Sequence, residues 1–355
     1  MKAYNQIEAK VNNKNLITEL LIRKAPVSRI ELSKMTGLSK MTVTNIVNEL
    51  LEEGLIEELG TEKSALGRKP ILIKIKDKSK VFLGVYISRN ALHVMAGDMC
   101  GNLLCEKKQK IPRNKEKLIE KIYELTDEVI AEVGDFESIG VSSIGPVDYK
   151  NGVILNPPNF FGIENVEIVK ILKEKYQKEV YLDKDTNASA LAEWLFGKAK
   201  DESEYIYVGV TNGIGAAIMS RDRLYRGEGG FCGEIGHVSV DINGKKCSCG
   251  NVGCLEMYAS IKDAETPDAK KICKYLASGL VTLVNLFDPS VIYLGHDIAR
   301  LGDSAAENLK KEINQRCISR KIKEINAEIS AFGERSPVYG AFSLAVCGYI
   351  GRFWG

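Results

Sequence analysis

Apolar residues first recur at helical spacing at Leu16, Ile17, Leu20 and Leu21, a one-sided stripe that Pro26 brings to an end. The next segment opens with Ser28-Arg29-Ile30-Glu31, where the serine oxygen caps a helix and Glu31 reaches back to Ser28 as a capping box. This second helix is brief: Gly37 can take the positive φ of a tight turn, and Ser39 then caps a third helix. There Val43, Ile46, Val47, Leu50 and Leu51 form the buried stripe, and Gly54 stands where a helix-ending glycine belongs. The face left over carries Lys40, Met41, Thr42, Thr44, Asn45 and Asn48, short or flexible groups that can meet base edges in a major groove. Leu55 to Leu59 and the alternating Ile71 to Ile75 then read as two strands, joined by Gly60 to Pro70 with Arg68 and Lys69 at the tip. Three helices alone would equally suit a protein-interaction module. The ordered cap, turn glycine, polar face and basic tip predict a winged helix-turn-helix, with Ser39 and the polar face on the DNA and the wing on phosphate or the minor groove.

Lys74 to Lys80 is lysine-rich and reads as a linker, after which the pattern changes. VFLGVYISRNALHVMAGD and IYVGVTNGIGAAIMSRDRL are weakly alike, each an apolar strand, a turn with Gly or Asn and a second strand. Helical patterns at Lys115 to Val133 and Ala188 to Phe196 lie between strands, so the body is α/β with two lobes of similar build. The predicted division is 1–78 for the DNA-binding domain and 79–355 for the body, with lobes at roughly 79–185 and 186–355. Ligands in such folds sit in the crevice between lobes.

Composition narrows the class. Of 355 residues, 45% are apolar and 27% charged, which fits a globular chain and neither disorder nor a fibre. No apolar run reaches the eighteen or so residues of a membrane helix, and the first residues lack a signal-peptide core, so a soluble cytoplasmic protein is expected. The net charge of +2 hides an asymmetry: residues 1–80 carry 15 Lys+Arg against 10 Asp+Glu, leaving 34 against 37 in the rest. The basic excess falls on the segment predicted to meet phosphate.

Nine cysteines cannot all pair within the chain, and three of them crowd into residues 247–254. His237, Cys247, Cys249 and Cys254 offer one imidazole and three thiolates, a closed tetrahedral set of the kind used for structural zinc, with Gly250 and Gly253 letting the backbone wrap the ion. Cys100, Cys105, Cys232, His93 and His296 read as packing or structural residues.

LSKMTVTNIVNELLEEGLIEE, IGVSSIGPVDYKNGVILNPPNF, LDKDTNASALAEWLFG, GGFCGEIGHVSVD and CSCGNVGCLE together resemble, in order, segments of the ROK family, named for repressors, open reading frames and kinases. The resemblance implies the two-lobed architecture of actin and hexokinase behind the winged helix, and a zinc loop that positions a sugar. It assigns Glu234 and His237 of a Glu-x-Gly-His motif, Glu256, Asn159 and Asp185 to sugar contacts. That role is physically sound, because vicinal hydroxyls need fixed donors and acceptors and a metal-held histidine offers its second nitrogen at a set angle.

In the family's kinases the counterpart of Asp185 is the base, and an Asp-x-Gly-Gly-Thr loop cradles phosphate. Here Tyr86, Ile87, Ser88, Arg89 and Asn90 stand in that loop, so the metal-organising aspartate and the permissive glycines are gone. The second turn keeps Gly213 and Gly215 but has Asn212 for the usual threonine, and the adenosine-side glycine run shrinks to Leu294-Gly295-His296-Asp297. Without an enzyme's phosphate loop, the expectation is a non-catalytic regulator. Two further departures stand out. Lys184 replaces a sugar-binding asparagine; it either pairs with Asp183 or Asp185, which two adjacent aspartates favour, or receives an anionic ligand such as a sugar phosphate. Between Ser260 and the helix Ile272 to Phe287, the stretch DAETPDAK replaces a longer helical segment, trimming the C-terminal lobe.

The sequence thus predicts a sugar-responsive DNA-binding transcriptional regulator, a repressor of carbohydrate genes, acting as a homodimer or dimer of dimers on double-stranded operator DNA. The alternatives are a sugar kinase with an accessory DNA-binding domain, or a regulator answering to a protein partner.

Overall fold

The computed structural model describes residues 6–59, 70–261 and 268–353. The wing tip with Arg68 and Lys69, and residues 262–267 of the shortened stretch, lie outside the described residues.

The head consists of α1 (Gln6–Lys24), β1 (Val27–Ser28), α2 (Arg29–Thr36), α3 (Lys40–Glu52), β2 (Ile56–Leu59) and β3 (Leu72–Ile75). Local chemistry fixes these boundaries. Ser28 Oγ accepts from the Glu31 N–H at 3.3 Å while the Glu31 carboxylate accepts from the Ser28 N–H at 2.7 Å. Gly37 and Gly54 take φ of +70° and +67°. Ile17, Leu21, Leu32, Val43, Val47, Leu50 and Ile73 close a dry core. The sheet has three strands in the order β1-β3-β2, all antiparallel. The sequence pattern indicates two of them, since two residues of β1 are too few to show a period.

The body is a duplication. Its first unit runs β4 (Val81–Ile87), β5 (Ala91–Asp98), β6 (Leu103–Lys110), α4 (Lys115–Val133), β7 (Ser138–Ser143), the small hairpin β8 (Val147–Asp148) and β9 (Val153–Ile154), α5 (Ile168–Tyr176) and β10 (Glu179–Lys184). After α6 (Asp185–Leu195), the second unit runs β11 (Glu204–Val210), β12 (Ile214–Ser220), β13 (Arg223–Tyr225), α7 (Glu256–Ala259), α8 (Ala269–Phe287), β14 (Val291–His296), α9 (Gly302–Arg316) and β15 (Asn326–Ile329). The sheets read β10-β7-β4-β5-β6 and β13-β12-β11-β14-β15. In each, three strands form an antiparallel meander and two more lie parallel to the first. Parallel pairs need crossovers, which α4, α5, α8 and α9 supply.

The two units exchange helices. α6 leaves the first sheet to pack on β11 and β12, whereas α10 (Ser336–Tyr349) leaves the second to pack on β4 and β7. The helices cross closely: a Cβ on Gly340 would lie 2.6 Å from the backbone of Ala188. Every residue of α6 from Thr186 to Leu195 is buried.

The head docks on the far end of α6. Arg23 of α1 lays its guanidinium 4.4 Å from the Trp194 ring centre, pairs with Glu19 and Asp222 at 3.1 Å each, and donates to the Lys200 carbonyl at 2.8 Å. The Trp194 indole donates to the same Asp222 carboxylate at 3.0 Å. Arg352 reaches Glu19 from the C-terminus, and Lys24 pairs with Asp201.

Candidate functional site

α3 presents the polar face that its sequence implies. Ser39 caps the helix by accepting from the Thr42 N–H at 3.1 Å, and Lys40, Met41, Asn45 and Asn48 are exposed, with Thr42 and Thr44 half-buried at the edge. Thr44 spends its hydroxyl on the Lys40 carbonyl at 2.8 Å, which favours its methyl over its donor as a contact. Arg29 joins this face, bonding Asn48 at 3.3 Å and Glu58 at 2.7 Å. Its position in the capping-box motif hides this, because the pairing depends on how α2 sits on α3.

α6 begins with Asp185, directly after β10 and one residue ahead of the contact with the second glycine turn. Thr186 packs against Gly215 of that turn, and Gly213 faces Glu256 at the start of α7. The stretch carrying Glu234 and His237 lies flat on β12 at Gly233, where there is no room for a side chain: a Cβ there would sit 1.9 Å from the Ala216 carbonyl oxygen, and the Ala216 N–H donates to the Gly233 carbonyl at 2.8 Å. Asp185, Glu234, His237 and Glu256 keep 18–40% of their side chains open. Asn159 is exposed at φ +58°, and no described hydrogen bond ties it to these four; its neighbour Pro158 accepts from Arg89 Nε at 3.1 Å.

Lys184 is paired, but with neither neighbouring aspartate. Its ammonium, 6% exposed, donates to Glu234 at 2.9 Å and to the Cys232 carbonyl at 2.8 Å. Asp183 is already engaged by Arg226 at 2.7 Å, Asn187 at 2.7 Å and the Lys184 N–H at 2.8 Å. With these three donors the buried carboxylate is satisfied without the ammonium.

At the β4–β5 turn, the Ser88 hydroxyl oxygen accepts from the Asn90 and Ala91 N–H groups at 3.3 and 2.9 Å and donates to the Ala91 carbonyl. The Ser88, Asn90 and Ala91 N–H groups are therefore used within the turn. His93 is structural, bonded to Glu106 at 2.6 Å. His296 is not merely a packing residue: its ring stands 3.6 Å from Asp185. Its backbone, at φ +64° and ψ −148°, lies in a region that side chains enter at a cost of about 1–3 kcal/mol. Sequence reading misses it because the contact depends on the β11–β14 register.

His237, Cys247, Cys249 and Cys254 converge, with their ligand atoms within 4.8 Å of one another, and this cluster could hold a metal ion. The Cys249 and Cys254 sulfurs are 3.6 Å apart, and Cys247 Sγ is 3.8 Å from His237 Nδ1. A tetrahedron with bonds of about 2.3 Å has edges of about 3.8 Å, so the spacing fits zinc. The Asn251 N–H draws the Cys249 thiol down to about 7, while burial and the neighbouring thiols push Cys254 up to about 12. A divalent cation displaces such protons. Glu256 lies 3.1 Å from Cys247 Sγ and 3.6 Å from His237 Nδ1, which couples the crevice to the loop.

A winged helix-turn-helix DNA-binding model matches residues 14–57. The xylose repressor of Bacillus subtilis (strain 168) is 29% identical over 368 residues, covering 95% of each chain. The crystal structure of a ROK family transcriptional regulator, a homolog of the E. coli MLC protein, superposes with a TM-score of 0.80 at 24% identity over 98% of both chains and shares the fold. The ROK hexokinase of Thermus thermophilus gives 0.65 at 28% identity, covering 99% of its own chain but 76% of this one. What the regulators match and the hexokinase leaves uncovered is about a quarter of the chain. The ROK family model itself matches residues 82–266 and 262–347, well over half of the sequence, and the protein belongs to the ROK family.

Proposed function

We propose that this chain is a sugar-responsive transcriptional regulator, a repressor of carbohydrate genes acting in the cytoplasm on double-stranded operator DNA. The observation that carries this reading is the pairing of a DNA-reading head with a ROK body whose crevice keeps Asp185, Glu234, His237 and Glu256 open. Residues 1–78 are the DNA-binding domain and 79–355 the sugar-binding domain. Ser39, Lys40, Met41, Thr42, Thr44, Asn45 and Asn48 contact the operator, with Arg68 and Lys69 on phosphate. Asn159 completes the sugar contacts from the facing lobe. One short recognition helix reads too few base pairs alone, so a homodimer on paired half-sites is required.

Zinc at His237, Cys247, Cys249 and Cys254 is structural: all four positions belong to protein, leaving none for a reacting water. Its part is to fix the loop, so that His237 and Glu256 meet sugar hydroxyls at set angles. The chain is not a kinase. Phosphoryl transfer depends on backbone donors and metal around the phosphates, and the β4–β5 turn gives its Asn90 and Ala91 N–H groups to the Ser88 hydroxyl. Tyr86, Arg89 and Asn90 add side chains where a phosphate would need room.

The test is fluorescence anisotropy of the zinc-loaded protein on duplexes from its own upstream region at fixed salt, with D-xylose, D-glucose, N-acetylglucosamine and their phosphates. One sugar is expected to weaken specific binding about ten-fold, a coupling of about 1.4 kcal/mol. Binding that no sugar alters would replace this reading with a regulator answering to a protein partner, and ADP release with any sugar in the panel would restore the kinase.

A further inference from the structure

Among the described residues, the crevice holds a buried polar atom with no hydrogen-bond partner that looks onto the sugar contacts: Nε2 of His296. The residue is 4% exposed, and this nitrogen stands 3.6 Å from Asp185 Oδ2, beyond hydrogen-bond length. Buried donors without partners are rare and call for a reason.

The surroundings are shaped for this ring. Gly209 and Gly295 are paired across β11 and β14. A Cβ on Gly209 would lie 2.7 Å from His296 Nδ1, and one on Gly295 would lie 1.9 Å from the Tyr207 hydroxyl. Two facing glycines thus vacate the space that Tyr207 and His296 fill. The Tyr207 hydroxyl is 3.0 Å from His296 Nδ1. Burial holds this phenol far above its ordinary range, so it keeps its proton. The protonated phenol has a hydrogen to give to Nδ1. An imidazole that accepts at Nδ1 from the phenol carries a proton on Nε2, the atom facing Asp185.

We propose that His296 is a positioning residue for the effector: it holds Asp185 from behind, so that the carboxylate meets a sugar hydroxyl in one orientation. The proposal rests on the reading of Asp185 as a sugar contact. Burial raises the Asp185 carboxyl, but the His296 ring, the Thr186 N–H and Arg89 outweigh it and keep the group below its usual range, an anionic acceptor rather than a proton-taking base. A shift of about 0.7 Å would bring the pair to hydrogen-bond length, so occupancy by the sugar and completion of the pair favour one another.

The experiment is calorimetric titration of the full-length, zinc-loaded chain with the panel of D-xylose, D-glucose, N-acetylglucosamine and their phosphates, using H296L, H296Q and D185N. Leucine and glutamine share the same unfavourable backbone conformation, but glutamine restores an N–H near the position of Nε2. H296L is expected to bind the sugar about ten-fold more weakly and H296Q within about three-fold of the parent. Equal losses in H296L and H296Q, or parental affinity in H296L, overturn the proposal. Should H296L not fold, Y207F takes its place, with a loss of about three-fold or more expected and parental affinity overturning the proposal. D185N separates the two layers of the argument. If it binds sugar like the parent, the pocket reading fails; if it loses binding while H296L keeps it, the pocket stands and the positioning role falls. A parent chain that binds no sugar of the panel sinks both.

Discussion

Substituting Cys254 by serine is expected to abolish zinc binding at the proposed site, and with it the proposed response to sugar, while leaving the head able to bind DNA. The Cys254 side chain is fully buried, 3.6 Å from the Cys249 sulfur, and a serine hydroxyl does not ionise to replace a thiolate at neutral pH. The loop it anchors is otherwise held by local hydrogen bonds, such as those from the Val240 N–H to the Gly253 carbonyl and from the Lys245 N–H to the Tyr258 hydroxyl. Single bridges join Ser239 to Cys254 and Lys246 to Val252, and neither belongs to the five-stranded sheets. Structural zinc contributes about 10–16 kcal/mol in small zinc domains, of which the loop needs a fraction to stay ordered. A loss of about 3–5 kcal/mol corresponds to a fall of about 10 °C in melting temperature for a domain of this size. Metal analysis should drop from about one ion per chain to near none, and chelation of the parent should reproduce the effect. A C254S protein that retains one tightly held zinc and its sugar response would show that the four residues are not the ligand set.

The legible and illegible parts of this site differ in the range of the interactions that make them. The Ser28–Glu31 capping box, the turns at Gly37 and Gly54 and the stripe of α3 are set by residues within a few positions of each other, and sequence spacing exposes them. The cysteine cluster is legible for the same reason, with three of its ligands inside eight residues. Lys184 illustrates the opposite case. Its local aspartates invite an ion pair, yet Arg226 and Asn187 occupy Asp183, and the ammonium turns to Glu234, fifty residues onward. His296 is stranger still, because its role arises from the glycine pair at 209 and 295 and from Tyr207 on a neighbouring strand. Arg23 looks like a last-turn basic residue of an amphipathic helix until Trp194 and Asp222 are brought to it.

Arg23→Ala is expected to disconnect DNA binding from the sugar. α6 carries the proposed sugar contact, Asp185, at its first turn and Trp194 near its last, about 14 Å apart at 1.5 Å per residue, with every residue between them buried. A buried helix packed on both lobes moves as a unit, so a change at Asp185 is carried to the surface on which the head rests. Arg23 is the head's grip on that surface through stacking on Trp194 and its bonds to Glu19, Asp222 and the Lys200 carbonyl. Alanine removes the stack and leaves Glu19, 3% exposed at its side chain, with Arg352 as its remaining cationic partner. Breaking one partner of a buried pair costs about 3–5 kcal/mol, and the retained Arg352 places this case near the lower end. Lysine should not rescue it, because a point charge neither stacks flat on an indole nor reaches three acceptors in one plane. In the variant, operator affinity without sugar should remain within about three-fold of the parent, since α3 does not contain Arg23, while the ten-fold release by sugar disappears. Limited proteolysis should cut more readily in the 76–80 segment between head and body, reporting the undocked head. If sugar still releases R23A from its operator as it releases the parent, the signal does not pass through α6, and the route must instead run through the C-terminal segment at Arg352 that also reaches Glu19.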